Sequence, residues 1–493
     1  MEKLLIHGHS CCEVRTAKTS FICDPWLHGS AYWRSWWNFP EPEKIDTLID
    51  AWKSQENVYI YITHLHWDHF HGPTIRKIAK QIPHAQFFVP LTPETRIKDD
   101  LEDVLPKGKL IKELKHAKTT KLNSEIEVTS FQSGPIAADS AIAIKCKTLV
   151  LNLNDSKIFK RSMKHLLSVI GQPSIVMRSH ASANSRCCMK VSNGTISADK
   201  SKDDYSSEFA DSCYGTGAAI AIPFASNMAH LHKETFRYNS ILNFSDNVVD
   251  YYEENKSRYP GMTCLQILPG EEVDLATQKL VKYNNNQRML MESTTITKIL
   301  TSYQDQKSKT LSKQYKLEES TKINEKAINK YFLSIMNQTP WIIRNLLKDH
   351  VCIEAISTKG NQFFKLNFSK KEIFNEKNPT LGDKDIHIRV NAYVLNDVCI
   401  QRHWNSLGVS KRLEIIQSKQ NKTYMLLGIV CNSIESGGFI SLKNAIKPRT
   451  LRVWISRRRE IIDLIFITFN VFFAKNYTGK VDASRKSLMR PFS

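Results

Sequence analysis

The chain has 493 residues, of which 41% are hydrophobic and 24% are charged. This length predicts two or three domains that each bury a core, and the composition excludes a largely disordered protein. Lysine and arginine number 69 against 49 aspartate and glutamate residues, and the formal net charge of +20 favours an anionic ligand, whether nucleic acid, lipid headgroups or a phosphorylated substrate.

The first two hundred residues alternate between short apolar segments and amphipathic ones. The spacing of isoleucine and alanine predicts a helix at 73–82. Strands are predicted at 3–6, 20–24, 58–63, 86–89, 125–131, 140–145 and 149–153. This alternation predicts a layered α/β structure that is rich in sheet.

Cysteine usage and the first residues indicate the cellular compartment. The 11 cysteines are odd in number and scattered, and no Cys-x-x-Cys pair occurs among them. Residues 1–6 have the pattern of a strand rather than that of a secretory signal. We therefore expect a reduced, cytoplasmic protein.

A histidine-rich loop, THLHWDHFHG at residues 63–72, separates the strand at 58–63 from the helix at 73–82. His64 and His66 are two residues apart at a strand end, so both rings can point to the same side. Asp68 and His69 can serve a second position. Three nitrogen donors and a carboxylate within six residues suit zinc, and also iron or manganese. The alternative, a histidine-rich surface loop, is disfavoured by the preceding strand and the closing Gly72.

The pattern changes after residue 203. Residues 279–335 are charged and mostly helical by periodicity, and short strands return at 363–367, 386–395 and 424–431. We predict a first domain at 1–240, a helical extension at 241–340 and a smaller C-terminal α+β domain at 341–493.

The basic C-terminus is the most concentrated part of the positive charge. Three arginines at 457–459 precede an apolar run at 461–473, which is shorter than the ~20 residues that a membrane-spanning helix needs. Such a segment suits a helix at a membrane surface, and it suits a helix that closes a core equally well. Peripheral membrane contact is therefore an expectation beside the cytoplasmic location.

The motif His64-x-His66-x-Asp68-His69 resembles the signature of the metallo-β-lactamase superfamily. Further segments resemble a narrower branch, which includes CMP-N-acetylneuraminate hydroxylase and N-acetylmuramate hydroxylase. These segments are GHSC at 8–11, DPWL at 24–27, SWW at 35–37, IPFAS at 222–226 and HWN at 403–405. The resemblance covers residues 1 to about 240.

The resemblance implies a fold, a metal centre and a reaction. The fold would be a metallo-β-lactamase-like αββα sandwich with the helical extension and the small C-terminal domain. One or two zinc ions, or iron or manganese, would be held by His64, His66, Asp68, His69, Asp155 and His180, with Asp68 also acting in catalysis. The activity would be hydrolysis of an anionic substrate, such as a sugar- or nucleotide-linked one, through a metal-bound hydroxide.

Two departures from the family pattern leave alternatives open. The hydroxylases carry a Rieske module, whose Cys-x-His and Cys-x-x-His pairs do not occur here. The superfamily also places a histidine in the stretch that corresponds to 131–140, where this chain has Pro135 and only Gln132 or Asp139 as partial substitutes. The alternatives are an iron-dependent hydroxylase component that needs a separate Rieske donor, and a non-catalytic scaffold. A nuclease ranks lower, so nucleic acid is the less favoured partner.

Several other residues near these motifs have two interpretations. His9 and Asp24 either line the pocket or serve as turn and capping residues. The tryptophans of the segment 33–37 either form a core or make a stacking wall for a ring-shaped substrate. His71 is predicted to lie outside the metal ligands.

Overall fold

The computed structural model describes residues 2–134, 139–158, 160–181, 185–191, 201–291, 296–375, 382–419, 421–436, 442–461 and 463. The strands of these residues, in chain order, are β1 Lys3–Ile6, β2 Cys12–Arg15, β3 Thr19–Cys23, β4 Ser30–Ala31, β5 Trp36–Asn38, β6 Asn57–Tyr61, β7 Gln86–Pro90, β8 Ile111–Leu114, β9 Lys118–Lys121, β10 Glu127–Ser133, β11 Asp139–Lys145, β12 Leu149–Asn154, β13 Ile175–Ser179, β14 Met189–Val191, β15 Ile220–Phe224, β16 Met228–His230, β17 Thr263–Cys264, β18 Glu272–Asp274, β19 Lys279–Lys282, β20 Val351–Ile356, β21 Gln362–Asn367, β22 Glu372–Asn375, β23 Ile386–Asn391 and β24 Leu413–Gln417.

The helices that connect and cover these strands are α1 Ile45–Lys53, α2 Gly72–Gln81, α3 Arg96–Val104, α4 Lys160–Ile170, α5 Lys202–Tyr214, α6 Ser245–Glu254, α7 Asn285–Met291, α8 Ile296–Gln306, α9 Ser308–Ser320, α10 Glu325–Gln338, α11 Trp341–Leu347, α12 Ala392–Gln401, α13 Trp404–Ser410, α14 Thr423–Glu435, α15 Leu442–Ala445 and α16 Pro448–Ser456. Short 3-10 turns lie at Arg186–Cys188, Phe236–Ile241 and Lys256–Arg258.

Two large mixed sheets face each other. The first has the strand order β19-β18-β1-β2-β3-β6-β7-β8, and the second has the order β17-β15-β13-β12-β11-β10-β9. Their facing surfaces share one apolar core, to which β1 contributes Leu4 and Ile6 and β11 contributes Ile142 and Ile144. These residues are two apart on each strand, as the two-residue period of a strand requires.

Helices cover the outer faces of both sheets. Leu48 of α1 and Ile75 of α2 pack with Ile60 of β6 in a second core. On the other side, Leu166 of α4 packs with Val176 of β13 in a third core that also includes residues of α5 and α6. The order of the layers is therefore helix, sheet, sheet, helix, and the predicted αββα sandwich is confirmed.

A smaller mixed sheet, with the order β14-β24-β23-β20-β21-β22, lies in the second half of the chain. It packs with helices α8 to α14 around a core that also contains Trp33, Trp36 and Trp37. The helical extension and the α+β part are confirmed, and the three tryptophans are core residues. Strands β17 to β19 complete the two large sheets although they lie past residue 240, so the division into three domains stays a prediction.

Three local predictions are wrong. The segment 424–431, predicted as a strand, belongs to helix α14, because a short apolar run does not distinguish a buried strand from a buried helix. The predicted strand at 386–395 ends at Asn391, whose side chain caps the next helix by accepting from the backbone N–H of Tyr393. Residues 279–282, predicted as helical, form strand β19 at a sheet edge.

The membrane prediction concerns the C-terminal residues. In the ranges given above, no helix combines the length and the apolar character needed to cross a bilayer. Residues 462 and 464–473 of the predicted surface helix lie outside the described residues. Arg457 is buried and pairs with Glu460, with 2.8 Å between Nε and Oε2, so this arginine is used in packing. Peripheral membrane contact stays a prediction.

Candidate metal centre

The histidine-rich loop follows β6 at one edge of the first sheet and leads into α2. His71 ends the loop as the N-cap of α2, where its Nδ1 accepts from the backbone N–H of Thr74. This contact occupies His71 in helix capping. The side chains before it point toward the second sheet, where β12 ends at Asn154.

Two groups of potential ligands lie side by side. The first consists of His64, His66 and Asp155, and the donor atoms of its members lie within 4.8 Å of one another. His64 Nε2 lies 2.9 Å from His66 Nδ1 and 3.9 Å from Asp155 Oδ2. Imidazole and carboxylate donors that converge at this spacing can enclose one metal ion.

The second group consists of His9, Asp68 and His69, with donor atoms again within 4.8 Å of one another. Asp68 Oδ2 lies 3.1 Å from His9 Nε2 and 3.2 Å from His69 Nε2. Asp155 Oδ2 is also 3.3 Å from His69 Nε2, so this carboxylate lies between the two groups. The two groups would hold a metal ion each, and Asp155 is near both of them.

Asp24 supports the ligand groups through hydrogen bonds to residues beside them and to His69. It is fully buried, and its Oδ1 accepts from the backbone N–H of Thr63 at 2.8 Å. Its Oδ2 accepts from Thr63 Oγ1 at 2.7 Å and Asn154 Nδ2 at 2.6 Å, and it lies 3.0 Å from His69 Nδ1. A carboxylate on the far nitrogen fixes the tautomer of a ligating histidine and leaves Nε2 of His69 as the donor.

We expect Asp24→Asn to weaken metal binding by about 10- to 100-fold, the usual effect of losing such a supporting carboxylate. If the amide nitrogen of the asparagine replaced Oδ2, it could not accept the hydrogen bonds that Oδ2 accepts in the wild type. His69 would then lose the contact that fixes its orientation. Competition with a chromophoric chelator measures the affinity. Asp46→Asn is the matched control, since Asp46 is exposed and pairs with Lys77 at 2.7 Å, away from both ligand groups. Equal affinities in the two variants would contradict the role given to Asp24.

Tyr32 contacts Oδ1 of Asp68, whereas the histidines of the second group contact Oδ2. Its hydroxyl donates to Asp68 Oδ1 at 2.5 Å and accepts from the backbone N–H of Trp67 at 3.1 Å. Tyr32, Trp33 and Arg34 all have positive φ angles, of 53°, 54° and 65°. This left-handed run of three non-glycine residues turns the chain between β4 and β5 and aims the tyrosine at the carboxylate.

The C-terminal part of the chain reaches the same centre. The side-chain amide of Asn405, on α13, lies 2.5 Å from His66 Nε2, so Nδ1 of His66 faces the other ligands. Arg412 Nη1 donates to the carbonyl of Trp33 at 2.8 Å, and Trp33 Nε1 donates to Asp397 at 2.8 Å. The second half of the chain therefore positions residues of the centre.

The electrostatics of the centre suit a cation. Burial and the rings of His69 and His66 hold the pKa of His64 well below its usual range, so this histidine is neutral and able to ligate. Burial would lower the pKa of His69, but the carboxylates of Asp68 and Asp24 raise it well above its usual range. Burial and the charge of Asp155 raise the pKa of Asp139 to about 8. His69 and Asp139 therefore retain protons that offset the negative charge of the neighbouring carboxylates. A divalent ion would supply the same positive charge in their place, so the residues fit a metal.

Of the six predicted ligands, His64, His66, Asp68, His69 and Asp155 lie together, and His180 belongs to neither group among the described residues. His180 is buried close to His9. Its pKa is lowered to about 3, mainly by burial and also by the charge of His9. No comparison tests the ligand set, so it stays a prediction.

Two further residues stand at the centre that the sequence reasoning left undecided. His9, in the turn between β1 and β2, joins Asp68 and His69 in the second group. Asp139 Oδ1 lies 4.0 Å from His64 Nε2, in the stretch where the superfamily histidine is absent. The side-chain nitrogen of Gln132 donates to the carbonyl of Leu91. The GHSC motif was the available signal for His9.

Comparison with known proteins gives a short sequence match. No protein-family model matches the chain. It is 35% identical over 83 residues to the CMP-N-acetylneuraminic acid hydroxylase of Danio rerio, a match that covers 16% of this chain and 13% of that protein. The Sus scrofa enzyme is 35% identical over 81 residues, 16% of this chain and 18% of that protein. The chain thus spans less than a fifth of the curated relatives it matches.

Solved structures with a similar arrangement include metallo-hydrolases. The metallo-hydrolase Igni18 of Ignicoccus hospitalis has a TM-score of 0.38 at 16% identity, and the match covers 57% of this chain and 99% of that one. The metallo-β-lactamase fold protein YhfI of Bacillus subtilis has a TM-score of 0.35 at 10% identity, over 55% of this chain and 98% of that one. A mutant of the β-hydroxylase CmlA has a TM-score of 0.36 at 17% identity, and the match covers 54% of this chain and 52% of that one. By its own layers and strand order the chain has a metallo-β-lactamase-like αββα fold, and over a short stretch it is similar in sequence to CMP-N-acetylneuraminic acid hydroxylases.

Proposed function

We propose that this protein is a metal-dependent hydrolase that acts on an anionic substrate, such as a sugar- or nucleotide-linked one. The observation that carries the proposal is the pair of ligand groups, His64–His66–Asp155 and His9–Asp68–His69, which meet at Asp155. A metal ion bound there, zinc in the first place, supplies a water acidified toward a pKa of ~7 as the nucleophile.

Asp68 has the contacts that catalysis requires of it. Its Oδ2 lies between His9 and His69, and Oδ1 accepts from Tyr32. The same contacts hold the pKa of Asp68 well below its usual range in spite of burial, with His69 contributing most. Asp68 is therefore a carboxylate at neutral pH. It can ligate a metal and orient a nucleophilic water by accepting its hydrogen bond.

The charge of the chain supports an anionic substrate. Asp139 and Asp155 are the more accessible carboxylates of the centre, with side chains 25% and 28% exposed, so they mark its open side. These carboxylates would repel an anion at an empty centre, whereas divalent ions reverse the local sign. The net charge of +20 then favours the approach of a negatively charged substrate from solution.

Turnover of a substrate panel tests the proposal. The full chain, loaded in turn with zinc, manganese and iron(II), is assayed with p-nitrophenyl acetate, bis(p-nitrophenyl) phosphate and an aliphatic lactone. We expect metal-dependent hydrolysis of at least one, and a loss of about 10²- to 10⁴-fold in kcat/KM in Asp68→Asn. His71→Ala, on the same loop, should stay within a few fold of the wild type. Hydrolysis that persists after metal removal would contradict the proposal.

A second candidate function is an iron-dependent hydroxylase component that receives electrons from a separate Rieske protein. The specific observation in its favour is the mixed set of imidazole and carboxylate donors, beside which Asp139 stands where a histidine is absent, since iron accepts this mixture. Purified protein that contains iron and consumes oxygen with an added reductant, but hydrolyses none of the panel, would favour this candidate. Metal without either reaction would favour a non-catalytic scaffold.

A further inference from the structure

A cavity of about 300 Å³ lies where the third sheet meets the first half of the chain. Ile356, Arg389 and Leu413 contribute from the strands of that sheet, and Glu234 and Arg237 contribute from the first half. Strands β20 and β23 run parallel and end here, and β24 begins here because it is antiparallel to β23. The carboxyl ends of parallel strands are the edge at which α/β sheets bind ligands.

Positive charge is in excess around this cavity. Its charged lining consists of Arg237, Arg389, Lys411, Arg412, Glu234 and Glu414. Both carboxylates are already engaged, because Glu234 accepts from Arg412 Nε at 2.7 Å and Glu414 accepts from Arg389 Nη1 at 2.9 Å. The charges of Arg237 and Lys411 are left without a carboxylate in the cavity.

Lys411 is the most informative of these residues. Only 4% of its surface is exposed, and no carboxylate of the described residues lies within ion-pair distance of its ammonium. The ammonium lies 5.5 Å from the centre of the Tyr238 ring. The apolar stem of Lys411 accounts for this burial, whereas its ammonium is reached by solvent and faces the cavity.

Arg237 brings a second cation to the same ring. Its guanidinium lies 4.9 Å from the centre of the Tyr238 ring, and it donates to the Tyr238 hydroxyl at 3.0 Å. Arg237 is exposed, whereas Lys411 is buried, so the two cations stand at the mouth and on the wall of the cavity. Both cations line the same cavity, so an anion bound in it would be attracted by both charges.

We infer that this cavity is a binding site for a small phosphate-bearing molecule. A phosphate monoester carries about two negative charges at neutral pH and so matches Arg237 and Lys411 together, whereas a single carboxylate matches only one of them. A guanidinium and an ammonium are the side chains that bind phosphate oxygens best. The volume exceeds that of phosphate alone and lies at the lower end of small-molecule pockets, so it leaves room for an organic group.

This site is separate from the metal centre, since none of its residues belongs to the two ligand groups. The inference therefore does not depend on the proposed hydrolysis. A phosphate could also bind metal at the centre, so the binding test uses a chelator-treated His66→Ala chain, in which one ligand group lacks a ligand and the chelator removes any ion from the other.

Calorimetric titration with inorganic phosphate, at constant ionic strength, tests the inference. We expect saturable binding in the His66→Ala background and at least tenfold weaker binding after Lys411→Met, because a charge-assisted hydrogen bond is lost. Arg237→Met, at the exposed mouth, should also weaken binding several-fold. The matched control is Lys419→Met, which removes an exposed lysine that pairs with Asp383 at 2.8 Å, and it should change the affinity less than twofold.

Thermal unfolding of the same variants checks that they fold. Lys411→Met is expected to unfold at about the same temperature as its parent in the absence of phosphate, because methionine preserves the packing of the buried stem. Loss of phosphate binding in Arg237→Met alone still supports the site if Lys411→Met misfolds. The absence of binding in the parent, or equal losses in Lys411→Met and Lys419→Met, would overturn the inference.

Discussion

Wild-type protein is expected to bind two metal ions, and His66→Ala and His69→Ala are each expected to bind one. His66 belongs to the group with His64 and Asp155, and His69 belongs to the group with His9 and Asp68. Loss of a direct ligand should weaken the affected ion by more than the 10- to 100-fold seen for supporting residues. Elemental analysis after gel filtration in metal-free buffer measures the stoichiometry.

The control for both variants is His71→Ala, which removes a histidine from the same loop without removing a ligand. It should retain two ions and lose about 1 kcal/mol of stability, because His71 caps helix α2. Complete loss of metal in both variants would mean that the two groups share a single ion. Full retention in both would contradict the assignment of the centre.

Glu13→Gln is expected to lower the free energy of unfolding by about 3–5 kcal/mol, because it breaks a buried ion-pair network. Glu13 is fully buried on β2 and lies 2.8 Å from His7 Nε2. It accepts from Arg15 Nε and Nη2 at 2.7 Å, from Ser20 Oγ at 2.5 Å and from Trp52 Nε1 at 3.0 Å. The glutamine would bring an amide donor among these donors and leave the cations unneutralised.

The effect of Glu13→Gln should depend on pH in a defined way. The His7 and Arg15 partners hold the pKa of Glu13 far below its usual range against the effect of burial, so its contribution is present above the unfolded value of about 4.3 and is lost as the pH falls. The pKa of His7 is raised by Glu13 and Glu43 against burial, so its contribution is present below about 6.5 and is lost as the pH rises. The difference between wild type and variant is therefore largest between about pH 5 and 6.5.

Urea unfolding followed by fluorescence, at pH 4, 6 and 8, measures this difference. Glu56→Gln is the control, because Glu56 is 62% exposed and its pair with Lys18 lies at the surface, where such pairs contribute little to stability. A loss below about 1 kcal/mol in Glu13→Gln at pH 6 would mean that the network is not needed for stability.

The candidate ligands that closely follow a strand in the sequence were predictable. His64 and His66 lie directly after β6, and Asp155 lies directly after β12, so the strand pattern already places them at sheet edges. The layered fold was predictable for the same reason, since the apolar runs that make the strands are local features.

The remaining contacts depend on tertiary structure. His9 approaches Asp68 from a different turn, 59 residues away in the chain, and Asn405 reaches His66 from 339 residues away. No local spacing encodes such pairings, and the motif match proposed His180 as a ligand while it left the role of His9 open. The prediction of a strand at 424–431 was wrong for a related reason. The residues that pack around this segment, and not its local sequence alone, determine that it is a helix.

The left-handed run at Tyr32–Arg34 bears on how the chain can be divided. A non-glycine residue in this conformation costs roughly 1–2 kcal/mol, so the run is retained only where other contacts hold it. Those contacts include Arg412 and Asp397, which lie in the second half of the chain. A fragment that ends at β19 would contain both large sheets and every proposed ligand, yet the hydroxyl that secures Asp68 would be released. We therefore expect that the half of the chain with the proposed ligands would lose its geometry if it were excised, transplanted or exchanged by itself.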